Sequence, residues 1–159
     1  MPVVDTSPRR LFIVFNPLSG GNRRPHLDAV IERIRHLGGT ATLASSQIFD
    51  EIVALSRDAA QSSSYDAVVA GGGDGTVRAV ASGLSGSRMP LGVIPLGTAN
   101  VLALELNFPR SADAIARMLL GGPVIEVSCG ALAGRPFLLM ASAGLDASIV
   151  AHVHSPTKR

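Results

Sequence analysis

The sequence predicts an α/β protein: an open, mostly parallel sheet with helices on both faces (three layers, αβα), followed by the start of an antiparallel β unit. Three observations predict it. Short apolar runs at Leu11–Phe15, Ala67–Ala70 and Leu91–Ile94 are bounded by turn residues, as strands covered on both faces are. Between them lie stretches whose apolar residues recur at helical spacing, so strand and helix alternate. Each of those three runs also ends in a loop of glycine and small hydrogen-bonding residues.

In chain order, Leu11-Phe12-Ile13-Val14-Phe15 reads as a central strand running into Asn16-Pro17-Leu18-Ser19-Gly20-Gly21-Asn22. A helix of roughly Pro25 to Leu37 follows, with Leu27, Val30, Ile31 and Ile34 on one face, Pro25 in its first turn and Gly38-Gly39 as its stop. Thr40 to Leu43 is a second strand, and Asp50 is the expected N-cap of a helix carrying Ile52, Val53, Ser56 and Ala59. The third strand, Ala67-Val68-Val69-Ala70, stops at Gly71-Gly72-Gly73-Asp74-Gly75-Thr76. Val77, Val80, Ala81 and Leu84 then mark a helix. The fourth strand gives way to Pro95-Leu96-Gly97-Thr98-Ala99-Asn100 and a short helix with Val101, Leu102 and Leu104. Ser111 caps a last helix through Leu120, with Ala112, Ile115, Ala116 and Leu119 inward. The pattern changes at Gly122. Pro123–Val127 is strand-like, Ala133-Gly134 sits like a hairpin turn, and Pro136–Met140 follows without a helix. The expected organisation is therefore a nucleotide-binding α/β domain over 9–122 and an incomplete β-rich second domain over 123–159.

At 159 residues the chain is about one domain long, and 47% hydrophobic against 16% charged residues excludes disorder. Thirteen arginines stand against one lysine, yet the net charge is only +2. With one Tyr and no Trp there is no stacking platform, so nucleic acid is not an expected partner. The single Cys129 excludes an internal disulfide framework and reads as a buried small hydrophobe. Met1 to Arg10 is polar, and no apolar run is long enough to span a membrane. A cytoplasmic protein, peripheral at the membrane if it touches one, is the expectation.

The Gly71–Thr76 stretch suits phosphate. Glycines let backbone N–H groups approach an anion without a Cβ between, and the start of a helix adds positive dipole. Three such loops share the C-terminal edge of one parallel sheet, where ligands of open α/β folds bind. A carboxylate beside bound triphosphate, here Asp74, can coordinate Mg²⁺, accept the acceptor hydroxyl's proton, or brace the loop through hydrogen bonds to N–H groups. No Gly-x-x-x-x-Gly-Lys is present, so backbone dipoles and arginines must do the work of a P-loop lysine. His26, His36, His152 and His154 show no metal-ligand spacing.

Asn16-Pro17-Leu18-Ser19-Gly20, Gly72-Gly73-Asp74-Gly75-Thr76 and Pro95-Leu96-Gly97-Thr98-Ala99-Asn100, in that order and spacing, resemble the catalytic domain of diacylglycerol kinases and the related bacterial lipid kinases and sphingosine kinases. Ala143-Gly144-Leu145-Asp146-Ala147 is similar to a motif early in the family's second domain. The resemblance implies transfer of the ATP γ-phosphoryl group to a lipid hydroxyl, with ATP and Mg²⁺ as cofactors and a lipid acceptor as partner. It implies that Asn16, Pro17, Ser19 and Gly20 meet the nucleotide, and that Gly71 to Thr76 lie along its phosphates. Ser45 stands where the family often has a phosphate-contacting Thr, Gly97 and Thr98 add further contacts, and Asn100 ties the loops together. In the related sphingosine kinases the aspartate matching Asp74 is regarded as the base, whereas the bacterial enzymes use a glutamate base and metal ligands in the second domain. This chain ends before any counterpart of those. The alternatives are an inactive nucleotide-binding module and an NAD kinase, which shares a Gly-Gly-Asp-Gly loop. The open β unit from Pro123 also predicts self-association into homo-oligomers.

Overall fold

The structure, a computed structural model, describes residues 9–21, 23–132 and 135–138. A parallel sheet of four strands, β1 (Arg10–Phe15), β2 (Thr40–Ser45), β3 (Ala67–Gly72) and β4 (Leu91–Pro95), runs in the order β2-β1-β3-β4. Alternation along the strands builds two apolar layers. From β1, Leu11, Ile13 and Phe15 face one layer, while Phe12 and Val14 face the other; from β3, Ala67 and Val69 oppose Val68 and Ala70 in the same way.

The first layer is closed by α1 (Arg24–His36) and α5 (Ala112–Gly121), through Leu27, Val30, Ile31 and Ile34 and through Ile115, Ala116 and Leu119. These are the faces that helical spacing marks in the sequence. The chain leaves α1 through Gly38 at φ +88°, and the Ser111 hydroxyl accepts the Ala114 N–H at 3.3 Å to cap α5. Asp113 of α5 pairs with Arg33 of α1 and with Arg117 at 2.8 Å. The second layer is closed by α2 (Phe49–Gln61) and α3 (Asp74–Gly83). A Cβ on Gly83 would lie 2.5 Å from the Val53 carbonyl oxygen, so this glycine allows the two helices to touch. A short α4 (Val101–Glu105) precedes α5; it buries Leu102 and Ala103 but leaves Leu104 exposed.

Three sequence expectations need correction. Asp50 is not the cap of α2: the helix begins at Phe49, with Asp50 inside its first turn. The buried Ser46 secures this end instead, its hydroxyl accepting the Ile48 N–H at 3.0 Å and donating to the Glu51 carboxylate at 2.6 Å. Pro123–Val127 is not a strand. It has no neighbouring strand to bond to among the described residues, and it leaves Val124, Ile125 and Val127 exposed. The antiparallel pair lies further on, between β5 (Gly130–Leu132) and β6 (Arg135–Phe137), where the Phe137 ring fills the space beside Gly130. Cys129 is exposed rather than buried. Leu139, Met140, the Ala143–Ala147 motif, His152 and His154 lie outside the described residues. No helix among the described residues is long and apolar enough to cross a membrane.

Candidate functional site

The register fixes which chain ends meet. Phe15 lies opposite Ser45 on one side and Gly71 on the other, and Gly72 lies opposite Pro95. The segments that follow, Asn16–Gly20, Ser45–Gln47, Gly73–Thr76 and Leu96–Asn100, therefore share the C-terminal edge of the sheet. From the central neighbours β1 and β3, α1 leaves toward one face and α3 toward the other. That divergence opens a crevice where open α/β sheets bind ligands.

The glycine turn is tighter than the sequence suggests. Gly71 and Gly72 belong to β3 and α3 starts at Asp74, so Gly73 alone makes the link, at φ −92° and ψ −172°. Its glycines are needed for approach. A Cβ on Gly72 would lie 2.3 Å from the Thr76 hydroxyl oxygen, and one on Gly97 would lie 2.4 Å from the Gly73 Cα. Gly20, at φ +65°, would place a Cβ 1.9 Å from the Leu96 carbonyl oxygen. Three loops far apart in sequence thus pack backbone to backbone. Gly75 differs: nothing lies within 4 Å of where its Cβ would be, so this exposed position in the first turn of α3 faces open space. The Thr76 N–H of that turn bonds the Gly73 carbonyl at 2.9 Å, and the turn forms the positive end of the helix, where the first N–H groups lack intrahelical acceptors.

Side chains knit the same region. The Ser19 hydroxyl accepts the Gly73 N–H at 3.3 Å and lies 3.5 Å from the Thr76 hydroxyl, which is buried. Asn16 folds back to accept the Leu18 N–H at 3.0 Å, leaving Pro17 exposed beside it. Asn100, left-handed at φ 50°, closes its own loop. Its Oδ1 accepts the Gly97 N–H at 2.8 Å, and its Nδ2 donates to the Gly97 carbonyl at 2.7 Å. Thr98 and Ser45 stand exposed on the edge. One oxygen of Asp74 accepts the Leu102 N–H at 3.4 Å, bracing the start of α4. Arg23 and Arg24 follow the first loop closely. The Arg23 Nε donates to the Gly20 carbonyl at 3.4 Å, while Arg24 pairs with Asp28 and lies over the Phe15 ring.

The sequence-predicted residues are therefore brought together on one edge, with Ser45 at its β2 side. Sequence reasoning missed the crevice of about 190 Å³ beside them, lined by Asn16, Gln47, Phe49, Ile52, Gly75, Thr76 and Ala79. The Arg78 guanidinium lies 4.9 Å from the centre of the Phe49 ring at this crevice. Phe49 is three residues before Ile52, a helical spacing that reads as core from sequence alone.

Residues 10–132 match the diacylglycerol kinase catalytic domain. A protein of Chromohalobacter salexigens named "Probable lipid kinase YegS-like" is 33% identical over 139 residues, covering 85% of this chain and 44% of its own length. A diacylglycerol kinase of Staphylococcus aureus is 31% identical over 140 residues, with 86% and 44% covered. The crystal structure of a diacylglycerol kinase from Bacillus anthracis aligns with a TM-score of 0.69 at 23% identity, covering 82% of this chain and 48% of that one; that likeness speaks for the fold. The chain spans less than half the length of these relatives.

Proposed function

Because this chain belongs to the diacylglycerol kinase catalytic-domain family, we propose that its C-terminal sheet edge holds the phosphates of Mg·ATP for transfer to a lipid hydroxyl, of a diacylglycerol or a sphingoid-like acceptor. One observation carries this reading: Gly20, Gly73 and Gly97 pack three loops together at the start of α3, where the Cβ position of Gly75 faces open space. A Cβ at Gly75 would stand over the backbone of that turn, which is the mark of a cradle for an anion. Asn16, Ser19 and Gly20 flank it on one side, with Gly97 and Thr98 on the other, and Ser45 offers a hydroxyl at the far rim.

A metal ion fits the donor set in one way. Among the described residues no group of three or more His, Cys, Asp or Glu gathers. Mg²⁺ is commonly held by one or two carboxylates together with substrate phosphates and water. Asp74, with one oxygen on the Leu102 N–H, has a second oxygen for that role. Bound there, the ion would neutralise charge on the transferring phosphoryl group. In the transfer the lipid oxygen bonds to the γ-phosphorus, the bond from that phosphorus to the β,γ-bridging oxygen breaks, and the hydroxyl proton leaves to a base. Asp74 is the candidate base on this chain if its second oxygen meets the acceptor hydroxyl in place of the ion.

A nucleotide-binding module without transfer activity is the second reading. It is favoured by the Asp74 contact to α4, which is a bracing role. Isothermal titration with ADP and Mg²⁺ tests the site, and a radiolabelled-ATP assay with mixed lipid micelles tests transfer. Absence of heat at millimolar nucleotide sinks both readings. Binding without labelled lipid selects the second.

A further inference from the structure

The four-stranded sheet ends in β2 on one side and β4 on the other, and the two edges are not equivalent. The Thr40 N–H donates to the Arg9 carbonyl at 3.1 Å and the Ser46 N–H to the Phe15 carbonyl at 3.0 Å, so the even-numbered residues of β2 face β1. Ala41, Leu43 and Ser45 therefore turn their N–H and C=O groups outward. On β4 the Leu96 N–H donates to the Gly72 carbonyl and the Pro90 carbonyl accepts the Val68 N–H, which leaves Leu91, Val93 and Pro95 outward. Pro95 has no N–H to offer there, and Val93 is buried. Nothing of that kind blunts β2. Thr40–Ser45 carries neither proline nor charge, and no strand pairs with its outer edge among the described residues.

We propose that residues 123–127 of one copy of this chain add as an extra strand to the outer edge of β2 in a second copy. The side-chain patterns match. Along β2, Ala41 and Leu43 are partly buried against the layer that α1 closes, while Thr40 and Thr42 are exposed. In the segment, Ile125 and Val127 fall on one face and Glu126 on the other. An added strand thus extends the α1 layer with Ile125 and Val127 and keeps Glu126 on the side of Thr42. Pro123 stands at the start of the segment, where a strand tolerates a missing N–H. The segment does not pair with β2 of its own chain. It leaves α5 on the layer of α1, and the hairpin behind it reaches the opposite layer through Leu138. The two halves of the contact are held apart within one copy and meet between two.

Complementary variants of the full chain test this by sedimentation velocity. Ala41→Pro removes an outward N–H without removing a bond to β1. Thr42→Glu sets a carboxylate on the edge and leaves φ unconstrained, which guards against distortion by the proline. Ile125→Lys blocks the segment. Each of the three alone should run as a monomer at concentrations where wild type associates, with an unchanged urea midpoint showing that the fold is kept. An equimolar mixture of Ile125→Lys with either edge variant leaves one intact edge and one intact segment, on different copies. That mixture should form a one-to-one pair and nothing larger. Edge variants that associate like wild type would show the segment pairing with itself, and association by Ile125→Lys would show two β2 edges pairing. Either result overturns the proposal, as does a mixture that stays monomeric or a wild-type chain that does not associate.

Discussion

Gly20 takes a left-handed backbone at φ +65°, and its Cβ position falls 1.9 Å from the Leu96 carbonyl oxygen. Both the conformation and the contact oppose any side chain. Gly20→Ala should destabilise the fold by about 1–3 kcal/mol, visible as a lower urea midpoint; an unchanged midpoint would contradict it. Gly75 is the opposite case. It lies within α3, and its Cβ would touch nothing. Gly75→Ala should therefore raise stability by up to about 1 kcal/mol while weakening Mg·ADP binding, because the methyl group stands over the proposed phosphate cradle. Stability and affinity rising together would refute that separation. Gly73 has extended backbone, so Gly73→Val acts through the Gly97 Cα, 3.1 Å from the new Cβ, and not through φ. Loss of nucleotide binding is the expected result, read by titration. The sequence made these positions legible as one sheet edge because three glycine loops followed three strands. It could not separate their roles, since the role of each glycine depends on a backbone brought close by another loop. The Gly20 contact joins residues 76 positions apart (96 − 20).

Between elements, the base of the sheet is tied by Arg10 at the start of β1 and Asp66 just before β3. The Arg10 side chain donates to Asp66 at 2.7 Å and its backbone N–H does so at 2.7 Å. The guanidinium contact first, and then the backbone one, hold the Asp66 carboxyl below its usual range. Asp113 is lowered likewise, by Arg117 and then Arg33. A carboxylate with a depressed folded pKa favours the native state above its unfolded pKa, and that contribution disappears as pH falls through the folded value. The advantage of wild type over Asp66→Asn should thus be complete at neutral pH and shrink below about pH 4, near the unperturbed carboxylate value. Both partners are substantially exposed, so added salt should shrink it too. Urea midpoints of the two proteins across this range decide the matter, and a gap independent of pH would count against the pairing. Helix faces were readable because α1 and α5 each bury one stripe at regular spacing. Strand and cap assignments failed where a partner decided the outcome. Pro123–Val127 has β-forming residues but no strand beside it, and Asp50 yields its expected capping place to a turn held by Ser46.

Across the whole molecule, the two apolar layers draw on residues 11–120, and Leu138 is the one side chain from beyond Gly122 packed on them among the described residues. The stretch after Gly122 is different in kind. Val124 is 64% exposed, Ile125 58% and Leu132 63%. Extended apolar chain with unused backbone N–H and C=O groups is a template for pairing with another copy. The 159-residue chain should therefore associate as its concentration rises. A version ending at Gly122 should stay monomeric and unfold in one cooperative step. It should lose only on the order of 1 kcal/mol, the worth of a partly buried leucine. Sedimentation velocity and urea denaturation of the two lengths test this together, with Ile125→Lys in the full chain as a control that blunts association without shortening the protein. If the full chain remains a monomer, the exposed stretch is not a pairing edge. If the shortened chain unfolds gradually, the hairpin of β5 and β6 belongs to the same cooperative unit as the sheet, and the boundary near Gly122 is misplaced.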